Sequence, residues 1–101
     1  MKPNKTKANQ KNGATTHRVR VEFTHPTATE VFIAGTFNDW RPAATPMVAV
    51  DPGRWMKELV LPAGRHEYCL VVDRDWMPDP AAPETVPNPF GGRNSILKVG
   101  V

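Results

Sequence analysis

Short runs of alternating apolar and polar residues recur from residue 18 to residue 99, with turn residues between them. Successive side chains of a β-strand point to opposite faces, so this alternation predicts half-buried strands. The predicted strands are Arg18–Phe23, Glu30–Ala34, a short one near Met47–Val50, Arg54–Leu61, Arg65–Val72 and Ser95–Val99. Short strands separated by turns, without a long helical period, favour an all-β, antiparallel β-sandwich of immunoglobulin type over a closed barrel.

The segment Arg65–Asn94 is expected to organise the rest of the domain. Alternation divides its strand into two faces, with Tyr68, Leu70 and Val72 on one and Glu67, Cys69 and Val71 on the other. The turn residues Asp73-Arg74-Asp75 come next, and Trp76 follows where a tight bend pushes the indole ring outward. A long loop with five prolines then leads to Phe90-Gly91-Gly92-Arg93-Asn94. Long loops are usually either disordered or functional, and because prolines stiffen this one we predict a functional loop.

The size and composition fit one domain with many turns, since the chain has 101 residues, eleven prolines and seven glycines. The single cysteine excludes an internal disulfide, and nothing indicates an oxidising compartment. No apolar run is long enough to span a membrane, and no secretory signal follows the basic N-terminus. We therefore expect a cytoplasmic protein that does not bind membranes.

The net charge of +3 comes from the N-terminus. Residues 1–18 hold five basic residues and no acid, so the remaining residues carry a net charge of −2. Nucleic-acid-binding domains usually carry positive charge on the fold itself, so no nucleic-acid partner is predicted. Residues 1–16 are expected to form a disordered basic tail, and residues 17–101 the domain, because the tail has too few apolar residues to form a core. An alternative role for the tail is attraction to an anionic surface.

No residue pattern indicates an enzyme. Asp73, Asp75 and Asp79 are crowded near one exposed turn, whereas a glycosidase needs two carboxylates facing each other across the substrate. The three histidines lack metal-ligand spacing, and Cys69 has neither a second cysteine nor an obvious base beside it, so we interpret it as a semi-exposed small residue. We predict a non-catalytic domain with no cofactor and no metal.

The tryptophans remain as candidates for binding. Trp55 lies in an alternating strand with apolar residues at matching parity, so it is predicted to pack in the core. Trp40 and Trp76 each follow a short polar run, and either cap the end of the sandwich or form an exposed aromatic platform. An indole can cover the apolar face of a pyranose ring while a side chain such as Asn94 hydrogen-bonds the hydroxyl groups.

Three stretches resemble carbohydrate-binding module family 48, which includes the glycogen-binding domain of the AMP-activated kinase β subunit and the N-terminal domains of isoamylases and branching enzymes. The first is Val31–Trp40, VFIAGTFNDW. The second is Leu59–Tyr68, LVLPAGRHEY, continued by VDRDW and Asp79-Pro80, and the third is Asn94–Val99. The resemblance implies an early-set immunoglobulin-like sandwich that binds α-1,4-glucans such as glycogen, starch or cyclodextrin.

The resemblance also implies roles for individual residues. Trp40 and Trp76 match the tryptophans that stack on glucose in the kinase domain, and Asn94 matches the asparagine that hydrogen-bonds the sugar. Phe90 matches the loop leucine that pushes into the glucan helix, and Gly92 matches a nearby threonine.

Three positions depart from the family pattern, namely Cys69, Phe90 and Gly92. Phe90 is larger than the leucine of the kinase domain but still apolar. Cys69 stands where the kinase domain has a sugar-contacting lysine, so that contact is expected to be lost or moved to Arg74 or Arg93. This departure favours the alternative that the domain docks a glycogen-metabolism enzyme or a kinase and has little affinity for sugar.

Overall fold

The computed structural model of the protein describes residues 15–100. Its eight strands in this range are β1 Thr16–Thr24, β2 Val31–Gly35, β3 Val48–Asp51, β4 Arg54–Pro62, β5 Gly64–Val72, β6 Asp75–Met77, β7 Thr85–Pro87 and β8 Arg93–Val99. A three-stranded antiparallel sheet has the order β1-β4-β3, and a second antiparallel sheet has the order β2-β5-β8-β7, with β6 also pairing with β5. The all-β, immunoglobulin-like sandwich predicted from the alternation is confirmed.

The core lies between the two sheets and draws on both of them. The three-stranded sheet contributes Val21, Phe23, Leu59 and Leu61, and the other sheet contributes Val31, Ile33, Tyr68, Leu70, Val72 and Val99. Trp55 is partly buried and packs against this cluster, as its parity predicts. Alternation also places the predicted face of β5 in the core, so Glu67, Cys69 and Val71 lie on the outer face of the larger sheet.

The proline-rich segment contains more regular structure than the sequence predicts. Trp76 lies inside the short strand β6, and the loop after it contains β7. We call residues 78–92, which include β7, the strap. Three-residue strands give no alternation pattern of their own, and they form here because β5 and β8 supply the neighbouring backbone.

The turn between β5 and β6 has two central residues, Asp73 and Arg74, with φ of 47° and 75°. Two-residue hairpin loops of type I′ need positive φ at both positions, and aspartate tolerates it better than most residues. The Asp73 carboxylate also accepts hydrogen bonds from the Thr29 amide at 2.9 Å, the Thr29 hydroxyl at 2.8 Å and the Glu30 amide at 2.9 Å. The hydrogen bonds from the Glu30 backbone and from Thr29 lower the pKa of Asp73, so one carboxylate ties this turn to the segment before β2.

This turn predicts a specific acid dependence of stability. A lowered pKa means that the folded state favours the ionised Asp73, so the stabilisation is present above the ordinary aspartate pKa of about 3.9 and is lost as pH falls through the folded value. We expect Asp73→Asn to lower the free energy of unfolding at neutral pH. The difference in this free energy between the wild type and the variant, which we call the gap, should narrow below about pH 4. Urea unfolding across this range measures it, with Asp75→Asn as the matched control. A gap that stays constant with pH would contradict the role given to the Asp73 charge.

The predicted disordered tail, residues 1–16, lies outside the described residues apart from its end, where β1 begins at Thr16. Within residues 15–100, no helix has the length and hydropathy needed to cross a membrane.

Candidate functional site

An open groove of about 870 Å³ runs across the outer face of the larger sheet. Its walls are mainly apolar and come from the loop after β2, from β6 and from the strap. The lining side chains are Thr36, Trp40, Glu67, Cys69, Trp76, Met77, Pro78, Asn88, Pro89, Phe90, Arg93 and Asn94, with Gly92 beside them. The groove therefore combines aromatic rings with a small set of polar groups on its floor.

Trp40 is held at one wall by a tight loop after β2. The Asn38 carboxamide fixes this loop, since it accepts a hydrogen bond from the Gly35 amide at 3.0 Å and donates to the Ile33 carbonyl at 2.9 Å. The Trp40 amide then donates to the Gly35 carbonyl at 2.9 Å. Both Asp39 and Trp40 have left-handed backbone, with φ of 57° and 58°. This conformation is uncommon for a bulky residue, and such strain is typical of binding sites.

Gly35, the last residue of β2, must be a glycine because the backbone of β5 lies very close to it. A Cβ atom at Gly35 would lie 2.6 Å from the Glu67 carbonyl oxygen and 2.8 Å from Tyr68 Cβ. Real Cβ atoms essentially never approach that near, so a side chain at this position would push the loop away. Gly35 thus allows the loop that carries Trp40 to begin close to β5.

Trp76 reaches the groove through its register with β5. It lies opposite Val71, and cross-strand partners point to the same face of a sheet, so the indole shares the outer face with Cys69 and Glu67. The side chain is 50% exposed. The two-residue turn at Asp73 and Arg74 sets this register, because it places Val72 and Asp75 opposite each other as cross-strand partners.

Asn88 builds the loop that presents Phe90. Its side-chain Oδ1 accepts hydrogen bonds from the Phe90 backbone amide at 2.9 Å and the Gly92 backbone amide at 3.0 Å. The backbone amide of Asn88 donates to the Gly92 carbonyl at 2.9 Å. An asparagine before a proline commonly starts a turn in this way. Phe90 sits at the tip and is 93% exposed, so its ring stands at the rim of the groove with little of its surface packed.

The groove floor is a connected polar network centred on Asn94, which is only 8% exposed. Asn94 Oδ1 accepts from Asn88 Nδ2 at 3.1 Å and from the Cys69 thiol at 3.3 Å, and Asn94 Nδ2 donates to Glu67 Oε1 at 3.0 Å. Cys69 is buried, in contrast to the semi-exposed position expected from the sequence, and its thiol lies against β8, with Asn94 Oδ1 and the Arg93 carbonyl both within reach. Burial also raises the pKa of the Cys69 thiol, which therefore stays protonated and donates.

A sequence profile described as the glycogen recognition site of AMP-activated protein kinase matches residues 17–101 of this chain. The chain belongs to this family. It is 36% identical over 70 residues to the β-2 subunit of 5'-AMP-activated protein kinase from Homo sapiens, which is 69% of this chain and 25% of that subunit. It is 34% identical over 70 residues to the β-1 subunit from Sus scrofa, where the matched region is 54% of the relative. The chain therefore spans about a quarter to about half of the length of these relatives.

Membership of this glycogen recognition family confirms the resemblance found in the sequence. The fold is also seen in solved structures of other proteins. An enterochelin esterase from Shigella flexneri superimposes with a TM-score of 0.70 at 16% identity, over 84% of this chain and 30% of that one. An enterobactin esterase from Shigella flexneri gives a TM-score of 0.71 at 18% identity, over 90% of this chain and 32% of that one. At this identity the likeness shows the fold alone.

The groove of this family member gathers seven of the eight residues predicted from the sequence, namely Trp40, Cys69, Trp76, Phe90, Gly92, Arg93 and Asn94. Arg74 does not line it, because it sits at the tip of the turn before β6. Arg93 lines it, and its Nε donates to the Thr85 hydroxyl at 2.7 Å. Six lining residues were not predicted, and Glu67 and Asn88 are the two of them that take part in the polar network of the floor. The alternation of β5 placed Glu67 on the same face as Cys69, which could have indicated Glu67. The Asn88-Pro89 pair, a common turn signal, could have indicated Asn88.

Proposed function

We propose that the domain binds α-1,4-glucan chains in this groove and that Trp40 and Trp76 stack on successive glucose rings. The observation that carries the proposal is the position of two indole rings in one open groove, with the Phe90 ring at its rim. Membership of a glycogen recognition family supports the choice of ligand.

The groove suits a neutral, hydroxyl-rich and curved chain. Each pyranose has an apolar face that an indole can cover, and each stack contributes on the order of 1 kcal/mol. Two stacks and a few hydrogen bonds then predict a dissociation constant in the range of roughly micromolar to millimolar. The exposed Phe90 offers a third apolar surface that an open helical turn of glucan can enclose.

The proposed module is non-catalytic. The three carboxylates that lie near each other in the sequence are separated by their contacts. Asp73 is engaged by Thr29 and Glu30, while Asp79 is buried and accepts a hydrogen bond from the Tyr68 hydroxyl at 2.6 Å. Neither lines the groove, so no pair of carboxylates faces a ligand from these positions.

A second candidate is a docking domain for a glycogen-metabolism enzyme or a kinase, as the names of the relatives suggest. The observation that favours it is Cys69, whose buried thiol supplies no ammonium group to the groove floor. Under this alternative, the wild-type domain would bind a purified enzyme of this kind with an affinity that excess β-cyclodextrin leaves unchanged.

Affinity electrophoresis tests the proposed function. We expect soluble glycogen in a native gel to retard the domain, while the same mass of dextran, an α-1,6-linked glucan, leaves its mobility unchanged. β-cyclodextrin should also change the tryptophan fluorescence in a saturable titration, because Trp40 and Trp76 become covered. Equal mobility in glycogen and dextran, with the native circular dichroism spectrum retained, would contradict glucan binding.

A further inference from the structure

Asn94, the residue expected to hydrogen-bond the sugar, already uses most of its side-chain hydrogen bonds within the protein. Asn94 Oδ1 accepts from Asn88 Nδ2, and the Cys69 thiol lies 3.3 Å from the same oxygen, with its one hydrogen shared between Oδ1 and the Arg93 carbonyl at 3.4 Å. One of the two Nδ2 hydrogens is given to Glu67. A carboxamide has two acceptor lone pairs and two donor hydrogens, so Asn94 retains one donor for a ligand, while its oxygen is already contacted from two sides. A ligand with several hydroxyl groups needs an acceptor from another groove residue.

Glu67 has more free acceptor capacity than Asn94. Within residues 15–100, its carboxylate takes one side-chain hydrogen bond, from Asn94 Nδ2 to Oε1 at 3.0 Å. This contact orients the carboxylate on the groove floor and leaves Oε2 with its lone pairs. Glu67 lies on the same face of β5 as Cys69 and lines the groove together with Trp40 and Trp76.

We propose that Glu67 is the specificity-determining polar contact of the groove and that its carboxylate accepts hydrogen bonds from hydroxyl groups of a sugar lying across Trp40 and Trp76. The inference rests on the proposed function and names the group that recognises the sugar hydroxyl groups. Hydrogen bonds to an ionised acceptor are roughly twice as strong as neutral ones, so one carboxylate can replace a lost contact elsewhere. The neighbouring N–H of Asn94 supplies the matching donor, which pairs a donor and an acceptor for adjacent hydroxyls.

The test must separate contact with the ligand from support of Asn94. Glu67→Gln keeps the length of the side chain and an oxygen that accepts from Asn94, but it removes the charge and turns the free oxygen into a donor. The ligand pair is β-cyclodextrin and fully O-methylated β-cyclodextrin, whose ether oxygens accept hydrogen bonds and cannot donate them. Calorimetric titration of the full chain with both ligands gives four dissociation constants.

We expect Glu67→Gln to raise the dissociation constant for β-cyclodextrin by about tenfold and to change that for the O-methylated ligand by less than about twofold. The matched control is Glu58→Gln, an exposed carboxylate on the other sheet that makes the same change of charge. It should leave all binding unchanged.

The outcomes distinguish this inference from the function on which it rests. If Glu67→Gln weakens the binding of both ligands equally, Glu67 has a structural role. If it weakens the binding of neither, Glu67 does not contact the ligand. Both results overturn the inference. In those cases loss of binding in Trp76→Ala would keep the proposed function in place. If the wild-type chain binds neither ligand nor glycogen, the proposed function falls together with the role of Glu67.

Discussion

Trp76→Ala is expected to weaken β-cyclodextrin binding by about thirtyfold and to abolish retardation by glycogen. The substitution removes a stacking surface and the apolar area that the sugar would cover, which together amount to on the order of 2 kcal/mol. The indole is half exposed in the free protein, so its removal leaves little cavity behind and the domain should stay folded. Calorimetric titration measures the change in affinity, and thermal unfolding checks the fold.

Two further variants make this prediction specific. Trp76→Phe keeps an aromatic face at the same place and should retain most of the affinity, whereas Val60→Ala removes an exposed apolar side chain from the other sheet and should change nothing. Trp40→Ala should cause a loss similar to that of Trp76→Ala. Full affinity in both tryptophan variants would refute stacking in this groove, and loss in only one would restrict the site to a single ring.

The strands of the fold could be predicted because each long strand has one face in the core. Alternation over residues 65–72 placed Tyr68, Leu70 and Val72 inside, and these residues lie in the core. The two strands that were missed, β6 and β7, have three residues each and form because neighbouring backbone is available. Strand pairing of this kind depends on contacts distant in the sequence, which no local pattern contains.

The site was predictable in part for the same reason. The tryptophans stood out after polar runs, and the family resemblance assigned them a role. What sequence reasoning missed is the network that holds them, since Asn38 and Asn88 act through hydrogen bonds to backbone groups. The importance of Glu67 depends on how many hydrogen-bonding positions of Asn94 are already used, and that follows only from the contacts of Asn94 in the folded structure.

The anchor of the strap is a buried pair, Tyr68 and Asp79, which are 3% and 5% exposed. The Tyr68 hydroxyl donates to Asp79 Oδ2 at 2.6 Å, the Ala81 amide donates to Oδ1 at 2.9 Å, and the Asp79 amide donates to the Ser95 hydroxyl at 2.7 Å. A buried carboxylate needs such partners, because leaving it unpaired is costly. The bonds with Tyr68 and Ser95 join the start of the strap to β5 and β8, and the bond from Ala81 closes a turn within the strap. This anchor directly follows Met77 and Pro78, which line the groove.

Tyr68→Phe is therefore expected to lower the free energy of unfolding by about 2–3 kcal/mol, since it removes one oxygen atom and leaves Asp79 Oδ2 without its donor. Denaturant unfolding at neutral pH measures this loss. Asp79→Asn provides the second arm of a double-mutant cycle, and the double variant should be less destabilised than the sum of the single ones, because a neutral amide tolerates a missing partner better than a carboxylate does. Strict additivity would show that the two side chains do not stabilise the strap together.

The same pair predicts an alkaline dependence of stability. Burial, and then the hydrogen bond and charge of Asp79, raise the pKa of Tyr68 far above its ordinary value of about 10. A raised pKa means that the folded state keeps a proton that the unfolded chain has lost, so this stabilisation is complete below about pH 10 and decreases as pH rises beyond it, by up to about 1.4 kcal/mol per pH unit. Tyr68→Phe lacks this proton, so its free energy of unfolding should fall less steeply above pH 10. Cys69 is present in both proteins, so its titration alone does not separate the two curves, and parallel curves would show that Tyr68 is not the group responsible.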